Sequence, residues 1–404
     1  MQRDLSPRRW IPGGVLIAVV ALVYALNPLR LHEDVGDGGN GRWRDPIDSY
    51  SEYLVRNTVI HRLAGRSTDG FMVTAKGFPR EDYSYYPDSM QGYYSSLTVQ
   101  QRTIFALARA AGVTDERGVH ALVDRLKPIA GVLLGVVLIA GVLLTARPVG
   151  TRDYFVILLI LGFSAGLVIF ARNLFWVTFT YFLPLVATAS LYRGRITGRL
   201  VAAHSCAVAI MLLMHYEFWP VFVLVSLLPV VTRASTNRVV LRNATALVAC
   251  SVVTFCAVLT LHLAVLSHET HVSFGRAFAI IAERMRERNL STTGVPSPLS
   301  IAAVRQLASR QVHGVAIALP GVRVPHAAIS LVYVVLAWWA WRRREAVVGR
   351  ILALGALAYS CWYVLGYQHI MWHIEYDRLL FASTVQLALT MALVFAMRAR
   401  EGVE

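Results

Sequence analysis

The sequence predicts an all-α, polytopic membrane protein of about ten transmembrane helices, with amphipathic helices in two long outer loops. Three observations predict it. Of the 404 residues, 56% are hydrophobic and only 16% are charged, which lies outside the soluble range. The apolar residues gather in runs long enough to cross a bilayer, separated by short polar joints. Arginines crowd every second joint and are sparse in the joints between.

In chain order the runs cover about 10–28, 128–146, 154–171, 174–192, 200–215, 218–232, 244–266, 326–341, 350–367 and 379–397. Several are near the short limit for a spanning helix. The basic joints hold Arg8 and Arg9, Arg147 and Arg152, Arg193 to Arg199, Arg233 to Arg242, Arg342 to Arg350, and Arg398 with Arg400. Basic short loops stay cytoplasmic. Both termini are therefore expected in the cytoplasm, with 1–404 forming a single integral membrane domain. The first run also carries Val23-Tyr24-Ala25, a tolerable signal-peptidase sequence. Cleavage there would leave the following segment outside in either case.

Composition also excludes function classes. The formal charge of +15 invites a nucleic-acid reading. The arginines are instead spread along one membrane face, where topology and anionic headgroups account for them. Cys206, Cys250, Cys256 and Cys361 fall inside apolar runs, without CxxC spacing. They read as helix packing, not as disulfides or a zinc site. Neither a P-loop nor a dinucleotide fingerprint occurs.

The outer loops cover 29–127 and 267–325. Long loops in a compact protein are functional or disordered, and the first is too aromatic for a simple linker. Tyr53, Leu54, Val59, Ile60 and Leu63 recur at helical spacing, as do Phe274, Phe278, Ile281 and Met285 beside several arginines. Such helices can lie flat on a bilayer and clamp a lipid-linked substrate. Packing against the span ends is an equal alternative.

Chemistry-bearing residues gather at the outer joints. His32-Glu33-Asp34 and Asp37 follow the first run. A carboxylate there can act as general base, or bind a divalent cation such as Mg or Mn; a solvated acidic turn is the plainer alternative. Arg172 and Asn173 interrupt an outer joint that should carry no Arg. Its planar fork suits a phosphate or carboxylate, unless it forms a structural ion pair or snorkels. Glu217, at a membrane boundary, is a candidate by default. The joint from Gly366 to Arg378 is the densest polar cluster. His369 and His373 are four apart, and a helix would put them on one face. With Glu375 or Asp377 they could hold a metal, but a zincin Glu is lacking. Hydrogen bonding to a sugar or diphosphate is the better reading, with Arg378 as phosphate clamp.

Four short stretches resemble poorly characterised bacterial polytopic proteins related to the GT-C glycosyltransferases. The first runs from Tyr94-Ser95-Ser96 through Gln100 to Ile104-Phe105. The second, and most specific, is Arg172-Asn173-Leu174-Phe175-Trp176 leading to Tyr181-Phe182-Leu183-Pro184. The third is Tyr216-Glu217-Phe218, where His215 replaces the family's Gly. The fourth is the loosely matching joint of His369 and His373. The resemblance implies a GT-C-like fold in the bacterial inner membrane. It implies a polyprenyl-phosphate sugar donor and a hexosyl or pentosyl transfer to a glycan, lipid or protein acceptor. It also implies a first-loop carboxylate as base, for which Asp34 is preferred over Glu33. Arg172, Asn173, Glu217, His369, His373, Arg378 and Tyr94 are then the expected donor-binding residues. Nucleotide sugars are not available outside the cytoplasm, so the donor must arrive on a lipid. An O-antigen polymerase or ligase shares this logic but moves glycans from a diphosphate carrier. A transporter or flippase should show polar or broken helices near the midplane and related halves; here the polar groups gather at one face.

Overall fold

The computed structural model describes residues 10–28, 49–68, 70–75, 85, 87–148, 150–290, 300–372 and 374–401. The chain is mostly helical, and helix occupies all ten apolar stretches. Among the described residues, four helices are long and apolar enough to cross a membrane: Glu116–Ala146, Asn237–Thr270, Ala346–Leu365 and Tyr376–Arg400. Shorter apolar helices are Ile11–Leu26, Thr178–Leu191, Gly198–Met214 and Trp219–Arg233.

Helix α1 (Trp10–Leu26) lies along Glu116–Ala146 with almost no space between backbones. The cause is a Gly131-x-x-x-Gly135 pair. A Cβ at Gly131 would stand 2.5 Å from the Tyr24 carbonyl oxygen, and one at Gly135 would stand 2.6 Å from Ala21 Cα. In lipid, small residues at four-residue spacing allow this close approach. Glu116–Ala146 also begins a dozen residues before its expected span. Its polar N-terminal part is tied to the first outer loop, where Lys127 Nζ is 2.8 Å from the buried Glu52 carboxylate.

Two expected spans are broken. Residues 151–171 form a helix, a π turn at Leu158–Gly162, a break at Phe163 and Ser164, and a second helix, Ala165–Ala171. Residues 219–233 break at Ser226 and Leu227. Hydropathy cannot see a break whose backbone groups are satisfied from elsewhere. Here the 267–325 segment supplies the partner. Its hairpin, β1 (Val315–Leu319) with β2 (Val322–Pro325), bridges the break, and Ala318 N–H donates to the Phe163 carbonyl at 3.1 Å. Gln386, in a second π turn (Ala382–Gln386), accepts from Ser164 Oγ at 2.8 Å and donates to the Ala316 carbonyl at 3.0 Å.

This hairpin and a second one, Met72–Ala75 with Met90–Tyr93, are the strands among the described residues. Neither was expected from the sequence. The helix at Ser49–Leu63 and the one at Phe274–Leu290 were. Their environments differ. Tyr53, Leu54, Val55, Val59 and Ile60 are all buried, so the first helix packs inside the protein, whereas Phe274 and Phe278 are about half exposed.

The arginine-rich joints meet at one end. Arg398 donates to the Arg147 carbonyl and pairs with Asp153 at 3.3 Å. Arg233 donates to the Ala189, Tyr192 and Leu144 carbonyls, and Arg350 to the Ala234 carbonyl. The joints at 172–176, 215–218 and 366–378 gather at the other helix ends.

Candidate active site

The joint at 172–176 is built by Asn173. Its side-chain oxygen accepts the Phe175 and Trp176 N–H groups at 2.9 and 3.1 Å, a local turn that Asn favours. Thr178 Oγ1 closes it on the Phe170 carbonyl at 3.0 Å. Val177 is left at φ 47°, a left-handed conformation that strains a β-branched residue by about 1–3 kcal/mol. Trp176 is thereby turned inward and fully buried. Asn173 thus shapes the joint, with its acceptor engaged there.

Trp176 is where three joints meet. Its ring lies 4.4 Å from His215, 5.1 Å from Phe218 and 5.0 Å from Tyr376, centroid to centroid. Phe218 touches Tyr376 and Trp362 in turn. Gly166, on the helix leading into the joint, packs against the Arg378 carbonyl so closely that no Cβ fits. The 29–127 segment joins the same assembly. Gln100, on helix Val99–Ala110, donates to the Phe175 carbonyl at 2.7 Å, and Tyr93 faces Phe175. Tyr94 packs edge-on against Phe71, which also touches His262, and Tyr216 bonds to His262 at 3.1 Å.

Arg172 is half-buried at the edge of this assembly. Its Nε is buried without a hydrogen-bond partner, and among the described residues no carboxylate pairs with it. Glu217 is 5% exposed and lies within electrostatic range of the buried Tyr181. Arg378 is buried beside Asp377, whose Oδ1 accepts the Tyr359 and Tyr363 hydroxyls at 2.6 and 2.5 Å. Asp377 Oδ2 and both amide atoms of Gln368 are buried without partners among the described residues.

His369 lies in a six-residue helix, Tyr367–Trp372. His373, Glu33 and Asp34 lie outside the described residues. Among those described, no group of three or more His, Cys, Asp or Glu side chains could hold a metal ion.

Sequence reasoning missed Arg310. It is 4% exposed and donates to the Ile370 and Met371 carbonyls at 2.5 and 2.7 Å, with Gln306 adding a bond to Met371 at 3.2 Å. The second outer loop thereby caps the end of the helix that carries His369. Farther out in the first loop, the His61 ring bonds to the Tyr85 hydroxyl at 2.8 Å. Burial is the main cause holding this imidazole below its ordinary pKa. A cleft of about 410 Å³ lined by Arg62, Phe105 and Arg109 also opens there; no residue of the three joints lines it.

No family model matches the chain, and no curated protein matches it. A solved structure to which it is similar is the archaeal oligosaccharyltransferase AglB from Archaeoglobus fulgidus, in complex with an inhibitory peptide and a dolichol-phosphate. The identity is 13% and the TM-score 0.46, over 98% of this chain and 52% of that one. The chain thus spans about half the length of that protein. At such identity, side-chain roles do not transfer.

Proposed function

We propose that this chain is a membrane glycosyltransferase with ten crossings. It moves a sugar from a polyprenyl-phosphate donor to a cell-envelope acceptor at the non-cytoplasmic face of a bacterial inner membrane. The observation that carries the reading is the meeting of three joints and the 29–127 segment around Trp176, with a half-buried Arg172 that has no partner among the described residues in one of those joints.

The chemistry follows from charge. The acceptor hydroxyl gives its proton to a first-loop carboxylate, for which Asp34 is proposed. The acceptor oxygen bonds to the anomeric carbon as the bond from that carbon to the phosphate oxygen breaks. The leaving polyprenyl phosphate gains negative charge, for which the Arg172 guanidinium is the proposed partner. Asn173 positions Arg172, and Glu217 and Gln368 offer polar groups for sugar hydroxyls. Arg378 is a second candidate for the phosphate.

The test is transfer of radiolabelled sugar from defined polyprenyl-phosphate donors by the purified wild type and by Asp34→Asn. Transfer that the folded variant loses supports the reading. Transfer from diphosphate-linked glycans alone would favour a polymerase or ligase. A transporter or flippase is the second reading, and the two broken helices favour it. Against it, the break at Phe163 and Ser164 is bridged by a strand.

A further inference from the structure

The helix Ile301–His313 turns polar groups inward and apolar groups outward. Beside Ala303 and Leu307, which pack against the core, its inward face holds three polar side chains. Arg310 and Gln306 bond to the 370–371 carbonyls, and Gln311 bonds to the Tyr359 and Ser330 hydroxyls at 3.3 and 3.1 Å. Its outward face carries an apolar stripe at i, i+3, i+7 and i+11. Ile301 is 74% exposed, Val304 and Val312 are each 58% exposed, and Ala308 is exposed between them. Beside this stripe runs a polar edge of Arg305, Ser309 and His313, all exposed. In water the stable arrangement is the reverse, with apolar groups inward and charge outward.

We propose that Ile301–His313 lies in the membrane surface, with Ile301, Val304, Ala308 and Val312 in the acyl chains of the bilayer lipids and Arg305 at their phosphates. Two observations select lipid over a protein partner. The stripe adjoins a second exposed apolar surface: Ile301–His313 packs against His326–Arg343, a span expected from the sequence, whose Leu331 and Val334 are 65% and 63% exposed. The cationic edge flanks an apolar stripe, as in helices that bind phospholipid headgroups. The helix is then a wall with lipid on one side and the Arg310 and Asp377 polar cluster on the other. The proposal stands independently of the transferase reading.

The test uses spin labels at Val304→Cys, Ala308→Cys and Val312→Cys, in liposomes, with the four native cysteines replaced by alanine. Val334→Cys serves as the lipid reference and Ser309→Cys as the edge reference. The expected result is strong collision with oxygen and shielding from a water-soluble nickel chelate, as at Val334. Nickel access equal to that at Ser309 would overturn the proposal in favour of water. Shielding from both probes would overturn it in favour of a second protein copy. Should the cysteine-free chain not fold, the native chain is labelled with a diazirine-bearing phospholipid and mapped by peptide. Labelling of 301–312 supports the proposal, and labelling of 326–343 without 301–312 contradicts it.

Discussion

Arg233 and Arg172 sit at opposite ends of the helices and have opposite surroundings. Arg233 donates to the carbonyls of Ala189, Tyr192 and Leu144, pinning three helix ends together. Arg172 is half-buried, and its Nε has no described partner. Burying a guanidinium costs free energy unless its donors are met. An arginine that meets carbonyls is a staple, whereas one with no described partner at a crowded joint is the group proposed above to meet a phosphate. The same contrast separates Lys127, paired with Glu52 inside the first loop, from Arg172.

The largest effect is expected at the paired end of this contrast. Lys127→Met removes the nearer of two cations from the buried Glu52, leaving Arg56 at 3.7 Å, and should lower stability by at most about 3–5 kcal/mol. Adding Glu52→Gln should recover most of the loss, as read by thermal unfolding in detergent. Arg172→Ala should do the reverse: leave the melting temperature unchanged and cut transfer about 100- to 1000-fold, the scale for removing one donor to a developing charge. Asn173→Ala should fall between, because two backbone N–H groups lose their acceptor, at roughly 1–3 kcal/mol. Melting should drop modestly and turnover should fall with it, while Asn173→Asp, which keeps the acceptor, should preserve the turn.

The smallest effect is a pH dependence of the first loop. The His61 pKa is lowered in the folded state, mainly by burial. The unfolded chain therefore takes up the proton first as pH falls. Stability from this site is present above the ordinary histidine pKa of about 6.5 and is lost as pH drops below it. Proteolysis within 64–85 should rise between about pH 6.5 and pH 5, and His61→Gln should flatten that rise.

The helices were legible because apolar runs need only length. The joint at 172–176 drew notice in the sequence because its Arg breaks the charge pattern; the turn built by Asn173 did not. The mid-span breaks were not, because Phe163 and Ser164 sit in an apolar run and their partner, Ala318, is over 150 residues away. Asn173 reads as a ligand in sequence, yet its oxygen is engaged by the turn. Arg310 was illegible for a more general reason. On a helix with the stripe Ile301, Val304, Ala308 and Val312, a reader who assumes water puts Arg310 outside. With lipid as the solvent, the same pattern turns it inward. The carboxylates at Glu33 and Asp34 lie outside the described residues, so their meeting with Arg172 rests on sequence alone.

The most direct measurement compares the two arginines in one assay. Arg172→Ala and Arg233→Ala are purified, their folded fractions are set equal by size-exclusion chromatography, and sugar transfer from a polyprenyl-phosphate donor is measured per folded molecule. The account predicts that Arg233→Ala melts lower but transfers at the wild-type rate, while Arg172→Ala melts normally and loses transfer. Equal transfer by Arg172→Ala and wild type would contradict it.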